Sequence, residues 1–187
     1  MAIAGAVACG PFALSACSGS AEQASTTPPR AHDPPAATAT TASDEKERQC
    51  EAVYPAAKLT AYAGYPYKYA NVDDPTRKAG QFTCRYATTE GPGERVVEFS
   101  SRPDRDKSEF SFIKRVAQVL PAPEYGDGFY ETSSYKRPEE TALTVSWRLT
   151  AHKDGTLYEV VLIQYKSEAE TKAVIKEIFD SLTRRQT

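Results

Sequence analysis

Apolar and polar positions alternate in three different ways along the chain. Residues 1–16, MAIAGAVACGPFALSA, are apolar or small and carry no charge. Residues 18–49 contain almost no large apolar side chain. From residue 50 onward hydrophobic positions recur with regular periods, so a packed core has to come from there. Residues 48–63, RQCEAVYPAAKLTAYA, read as one or two short helices broken at Pro55 and closed by Gly64. Proline lacks the amide a helix interior needs, and glycine accepts the left-handed turn at a helix end. A tyrosine-rich loop, YPYKYANVDDPTRKAG, is expected next. QFTCRYAT (81–88) alternates Phe82, Cys84 and Tyr86 with polar neighbours, the period of a strand. The turn TEGPGE (89–94) leads to RVVEFSS (95–101), the second strand of a hairpin.

Over residues 104–120 the period changes. Phe112, Ile113, Val116, Val119 and Leu120 fall on one helical face, and Pro121 and Pro123 end it. After the loop APEYGDG, FYETSS (129–134) reads as a strand. TALTVSWRLT (141–150) places Leu143, Val145, Trp147 and Leu149 on one face. A turn at Asp154-Gly155 connects it to LYEVVLIQY (157–165). The contiguous Val160, Val161, Leu162 and Ile163 predict a central strand covered on both faces. Ser167-Glu168-Ala169-Glu170 is a capping box that opens a helix to about Arg184, with Val174, Ile175, Ile178, Phe179 and Leu182 as its buried stripe. The predicted order is helix, two strands, helix, three strands, helix. It describes an α+β domain over residues 48–187, an antiparallel sheet of about five strands with packed helices.

Composition assigns the remainder. The stretch 17–47 is dominated by Pro, Ala, Ser and Thr, so it cannot bury enough apolar area to offset its ordering entropy. It is expected to be a disordered tether, stiffened at its Pro-Pro pairs and suited to O-linked sugar. The apolar part of residues 1–16, about 12 residues, is too short to span a bilayer. It fits the core of a signal peptide; Gly5, Gly10 and Pro11 disfavour a buried helix. Signal peptides open with Lys or Arg, and none precedes Cys17. The expectation is that the basic segment lies upstream of the recorded start. The formal net charge of -2 argues against a nucleic-acid partner, which needs an excess of basic residues.

Four cysteines remain to be placed: Cys9, Cys17, Cys50 and Cys84. Cys9 would leave with the signal peptide. Cys50 and Cys84 form an even pair inside the domain, and an exported protein usually joins such a pair. Closing that loop is worth roughly 3–4 kcal/mol in the chain-entropy model. Two buried free thiols or a pair of metal ligands are the rival readings. No zinc spacing accompanies the cysteines, and His32 and His152 fit no ligand pattern.

Leu14-Ser15-Ala16-Cys17 resembles the lipobox of bacterial lipoproteins: an aliphatic residue, two small residues, then Cys. The resemblance implies that Cys17 becomes the first residue of the mature chain and carries lipid on its sulfur. Two or more acyl chains give lasting membrane attachment where one binds weakly. The tether and two-cysteine domain resemble small actinobacterial lipoproteins, and the strand–turn–strand–helix ending is similar to the PsbP-like and Mog1-like sandwich. These likenesses imply an outer-face, membrane-anchored location and assign no functional residue within the domain.

Chemistry is sparse in the sequence. There is no nucleophile elbow, phosphate-binding loop, dinucleotide fingerprint or His-Glu zinc helix. His152 is expected in a hairpin turn, in solvent. The acid pairs Asp73-Asp74, Asp104/Asp106 and Glu139-Glu140 fall in loops or at helix starts, where carboxylates are favoured by solvent and by the helix dipole. The most suggestive feature is the crowding of Tyr62, Tyr65, Tyr67 and Tyr69. Tyrosines offer flat apolar faces with a polar tip, suited to stacking on a ligand. With Tyr125, Phe129 and Tyr130 they would line a groove; alternatively they cover the core beneath the loop. The leading expectation is a lipid-anchored binding module without catalysis or cofactor, whose partner is a cell-envelope protein or small ligand. The alternative is a cell-envelope enzyme such as a hydrolase of wall polymers.

Overall fold

The computed structural model describes residues 41–71, 79–90, 95–136 and 143–185. The signal segment, Cys17, the tether before residue 41, and the pairs Asp73-Asp74 and Glu139-Glu140 lie outside the described residues. The elements are α1 (Ala42–Val53), α2 (Ala56–Ala63), β1 (Tyr67–Tyr69), β2 (Phe82–Thr88), β3 (Val96–Pro103), α3 (Ser108–Val116), β4 (Leu120–Pro121), a 3-10 turn (Pro123–Tyr125), β5 (Phe129–Tyr135), β6 (Thr144–Lys153), β7 (Thr156–Ile163) and α4 (Glu168–Arg184). The chain is therefore α+β. Its strands make one antiparallel sheet in the order β1-β2-β3-β7-β6-β5-β4. β7, the most apolar strand, is central, as its sequence predicts.

The sheet has seven strands rather than five. Both additions are short edge strands. Tyr67–Tyr69 extends the sheet beside β2, so part of the expected tyrosine loop is strand. Leu120–Pro121 pairs with β5 where a helix was expected to end. Elements of two and three residues are too short for a period to register. α1 also begins earlier than expected, inside the stretch read as tether. Thr41 and Asp44 form a reciprocal capping box, and Glu45 reaches Arg48 and Gln49 along the helix surface. This half of α1 is polar, so capping and surface pairs mark it where hydrophobicity does not.

Alternation along the strands defines two faces. On one, Cys84, Tyr86, Val97, Phe99, Val160, Leu162, Leu149, Trp147 and Tyr130 are buried in one cluster with residues of α1, α2 and α4. α4 starts at the expected Ser167–Glu170 box and contributes Ile175, Ile178, Phe179 and Leu182. Each such side chain adds about 1.5–3 kcal/mol when fully buried. The Cys50–Cys84 disulfide, with Cα atoms 5.5 Å apart and both residues fully buried, ties α1 to β2. The second face is polar. One row across it runs Arg85, Glu98, Val161, Arg148, Glu131, neighbours in the strand register.

α3 packs against one end of this polar face, where Phe110 meets Phe129 and Leu157. The stripe expected to be buried is corrected in part: Ile113 and Val119 pack against this cluster, but the other three members do not. Phe112 is 60% exposed, Val116 65% and Leu120 50%. Leu120 lies beyond the helix, in β4; for Phe112 and Val116 the cause is helical phase. Both Asp104 carboxylate oxygens accept α3 amides, from Glu109 at 3.2 Å and Phe110 at 3.0 Å, which fixes where the helix starts. Phe110 then points at the sheet, and Phe112, about 200° further round, points away.

Candidate functional site

Three of the four sequence-selected tyrosines converge, and they converge on a fifth. The rings of Tyr62, Tyr65 and Tyr67 lie 5.8, 6.0 and 6.5 Å from that of Tyr165, just beyond β7. The Arg95 guanidinium stacks on Tyr65 and Tyr165 at 5.8 and 5.5 Å. Tyr69 departs from the group and meets Tyr86 edge-on at 6.2 Å. Sequence reasoning did not select Tyr165 or Arg95. Tyr165 is remote in sequence and close only through the sheet order.

Much of this cluster belongs to the core. Tyr62 is buried, with its hydroxyl 2.7 Å from Thr171 Oγ1 and accepting the Tyr165 amide at 3.2 Å, so it fastens α2 to the start of α4. Tyr67 is buried, and its hydroxyl lies 2.6 Å from that of Tyr165. Burial, reinforced by that bond, holds the Tyr67 hydroxyl well above the ordinary tyrosine range. Tyr65, at 37% exposed, is the member that reaches water most openly. Tyr125, Phe129 and Tyr130 do not extend this surface. Four strands separate β1 from β5. Tyr125 packs edge-on to Phe179 and Tyr130 edge-on to Trp147 within the core, and Phe129 is on the opposite face.

The polar face holds a cavity of about 180 Å³ lined by Glu131, Thr132, Ser133, Ser146, Arg148 and Val161. Its side-chain chemistry is a carboxylate, a guanidinium, hydroxyls and one apolar residue. Glu131 Oε2 is shut off from water and has no hydrogen-bond donor; Thr150 Oγ1, two residues along β6 from Arg148, is buried without a partner as well. Each such group carries a desolvation cost of about 1–3 kcal/mol, more when charged. A second cavity of about 340 Å³ lies between α1 and α4, lined by Gln49, Ala52, Val53, Ser181, Arg184 and Arg185. There the Arg185 guanidinium stacks on Phe82 and donates to Gln49 Oε1 at 2.7 Å.

Several other titratable groups have structural partners. His152 lies in β6, not in a turn; its Nε2 sits 2.7 Å from the Asp104 carbonyl and its ring packs on Phe110. Of the pair Asp104/Asp106, the first holds the start of α3; the second is held below the ordinary carboxylate range by the Ser108 hydroxyl and then by the Ser108 amide, which it accepts at 3.2 Å. Arg102, its side chain 11% exposed, bridges Glu109 and Glu159. Among the described residues no three His, Cys, Asp or Glu side chains are grouped to hold a metal ion, and no helix is long and apolar enough to cross a membrane. No protein-family model, curated protein or solved structure matches the chain.

Proposed function

We propose that this is an exported lipoprotein whose folded domain binds a ligand or partner without catalysis. In this reading residues 1–16 leave as a signal peptide. Cys17 bears the lipid at the outer face of the cytoplasmic membrane, and the Pro/Ala/Thr/Ser-rich segment tethers the domain. The observation that carries the reading is the Cys50–Cys84 disulfide. Disulfides persist where the surroundings are oxidising. The pairing occupies both domain thiols and leaves the cysteine of Leu14-Ser15-Ala16-Cys17 as the one set apart by position. Binding rather than bond-breaking is supported by what the two candidate surfaces offer: stacked aromatics with an arginine on one side, and hydroxyls with opposed charges on the other.

The test is fractionation of cells expressing the gene with its native upstream sequence. The parent protein is expected in the membrane fraction and to incorporate labelled palmitate. Cys17→Ala is expected in the soluble extracytoplasmic fraction, without label. Unchanged membrane partition of the variant overturns the anchor.

A further inference from the structure

We propose that the cavity on the polar face of the sheet binds a small zwitterion, with a cationic nitrogen at Glu131 and a carboxylate at Arg148. The proposal rests on the reading of the domain as a binding module and is independent of the lipid anchor.

Glu131 on β5 and Arg148 on β6 are direct cross-strand partners. Side chains in that relation are within reach of one another, and opposite charges so placed ordinarily close into an ion pair. Here they do not. Both line the cavity, Glu131 Oε2 is buried without a donor, and no ion pair joins the two residues among those described. The buried oxygen is closed to a ligand as it is to water, so a ligand would meet the remainder of the Glu131 carboxyl group where it lines the cavity. A carboxylate held partly out of water without a cation beside it is costly, and a donor arriving there offsets that cost.

The paired charges select what that something is. A simple cation drawn to Glu131 meets the guanidinium of Arg148, and a simple anion drawn to Arg148 meets the carboxylate. A molecule carrying both charges satisfies both walls, each through a charge-assisted hydrogen bond. Ser133 and Ser146 add hydroxyls that donate or accept, and Val161 gives an apolar patch. The volume of about 180 Å³ is below that of pockets for drug-sized ligands, roughly 300–1,000 Å³. The occupant is therefore on the scale of a free amino acid.

The experiment uses the full chain carrying Cys17→Ala, so that no lipid is involved, and follows amide chemical shifts during titration. The probes are L-alanine, and its two half-charges propionate and ethylammonium. Alanine is expected to shift the amides of Ser133, Ser146 and Val161, with each half-charge binding about tenfold more weakly or worse. Glu131→Gln and Arg148→Gln are each expected to weaken alanine binding by about tenfold or more. Glu131→Gln is also expected to melt no lower than the parent in the absence of probe, since it removes an uncompensated charge; that distinguishes lost binding from lost folding. Three results overturn the proposal: no shift with alanine at tens of millimolar, unchanged binding by the folded variants, or equal binding of a half-charge. The last leaves a binding module in place and removes only its zwitterion specificity, and the fractionation of Cys17→Ala judges the anchor separately.

Discussion

Replacing Cys50 and Cys84 together with alanine measures what fastens the first helix to the sheet. Alanine is the appropriate replacement, because both sites are fully buried and serine would add hydroxyls that need partners. The bridge spans a sequence separation of 34. For a loop of that length the chain-entropy relation gives about 4 kcal/mol at room temperature. In a domain of this size that corresponds to a melting temperature lower by about 10 °C. α1 has little else to hold it. Of its 12 residues only Cys50 and Val53 are buried. Tyr54 adds a buried ring at its C-terminus, and Arg185 reaches Gln49 from α4. The loss should therefore appear at two levels. Urea unfolding should show the lower global stability, with a steeper denaturant dependence as the unfolded chain expands. Native-state hydrogen exchange should show α1 amides losing protection before those of β7 and α4. The parent protein unfolded in reductant supplies the control for the bridge without the substitutions. A double variant that loses less than about 1 kcal/mol and keeps its α1 amides as protected as before refutes the reasoning.

Two further outcomes follow from the core. Burial, then the Glu177 charge, pushes the Tyr54 hydroxyl up to about 12 from an ordinary value of 10.0, and burial holds Tyr67, Tyr86 and Tyr130 higher still. The folded state thus keeps protons that the unfolded chain releases. The contribution is fully present below about pH 10 and is lost as pH rises through 12. Urea midpoints that stay constant across that window, or tyrosinate absorbance that reaches the level of all 11 tyrosines there while the fold is intact, contradict it. In α3, Phe110→Ala should cost about 3–5 kcal/mol and Phe112→Ala no more than about 0.5, read by the same unfolding assay. The reverse ranking rejects the assigned helical phase.

The long elements were legible because their periods ran long enough to register. β7 is recognisable from four consecutive apolar residues, α4 from its capping box and stripe, and the β2–β3 hairpin from alternation bracketed by a turn. What escaped had specific causes. α1 starts in a run of charges with no apolar period, where only the Thr41–Asp44 box marks an end. β1 and β4 are too short to show a period. The phase of α3 is decided by a contact outside the helix, the Asp104 carboxylate on its first amides, so Phe110 and Ile113 face the sheet while Phe112 and Val116 of the expected stripe face away. The sites divide the same way. Tyrosine crowding is a local property and could be read. The convergence on Tyr165 and the opposition of Glu131 and Arg148 are properties of sheet order and register, which no local stretch of sequence carries.

The position of the disulfide acquires a mechanical sense when the tether is placed before it. α1 is the first of the described elements and takes in the end of the segment read as tether, and only two of its residues are buried. If that segment is the proposed tether, a pull along it would be borne first by α1. Without a covalent tie, the load would fall on Val53, Tyr54 and a few surface bonds, and helix α1 would peel from the sheet while the core stayed closed. The bridge at Cys50 passes the load into β2 at Cys84, opposite Phe99 of β3. From there it is spread over a ladder of backbone hydrogen bonds that must yield together. On the proposed anchoring, a covalent fastening would be needed where the tether joins the fold, and Cys50 lies in α1.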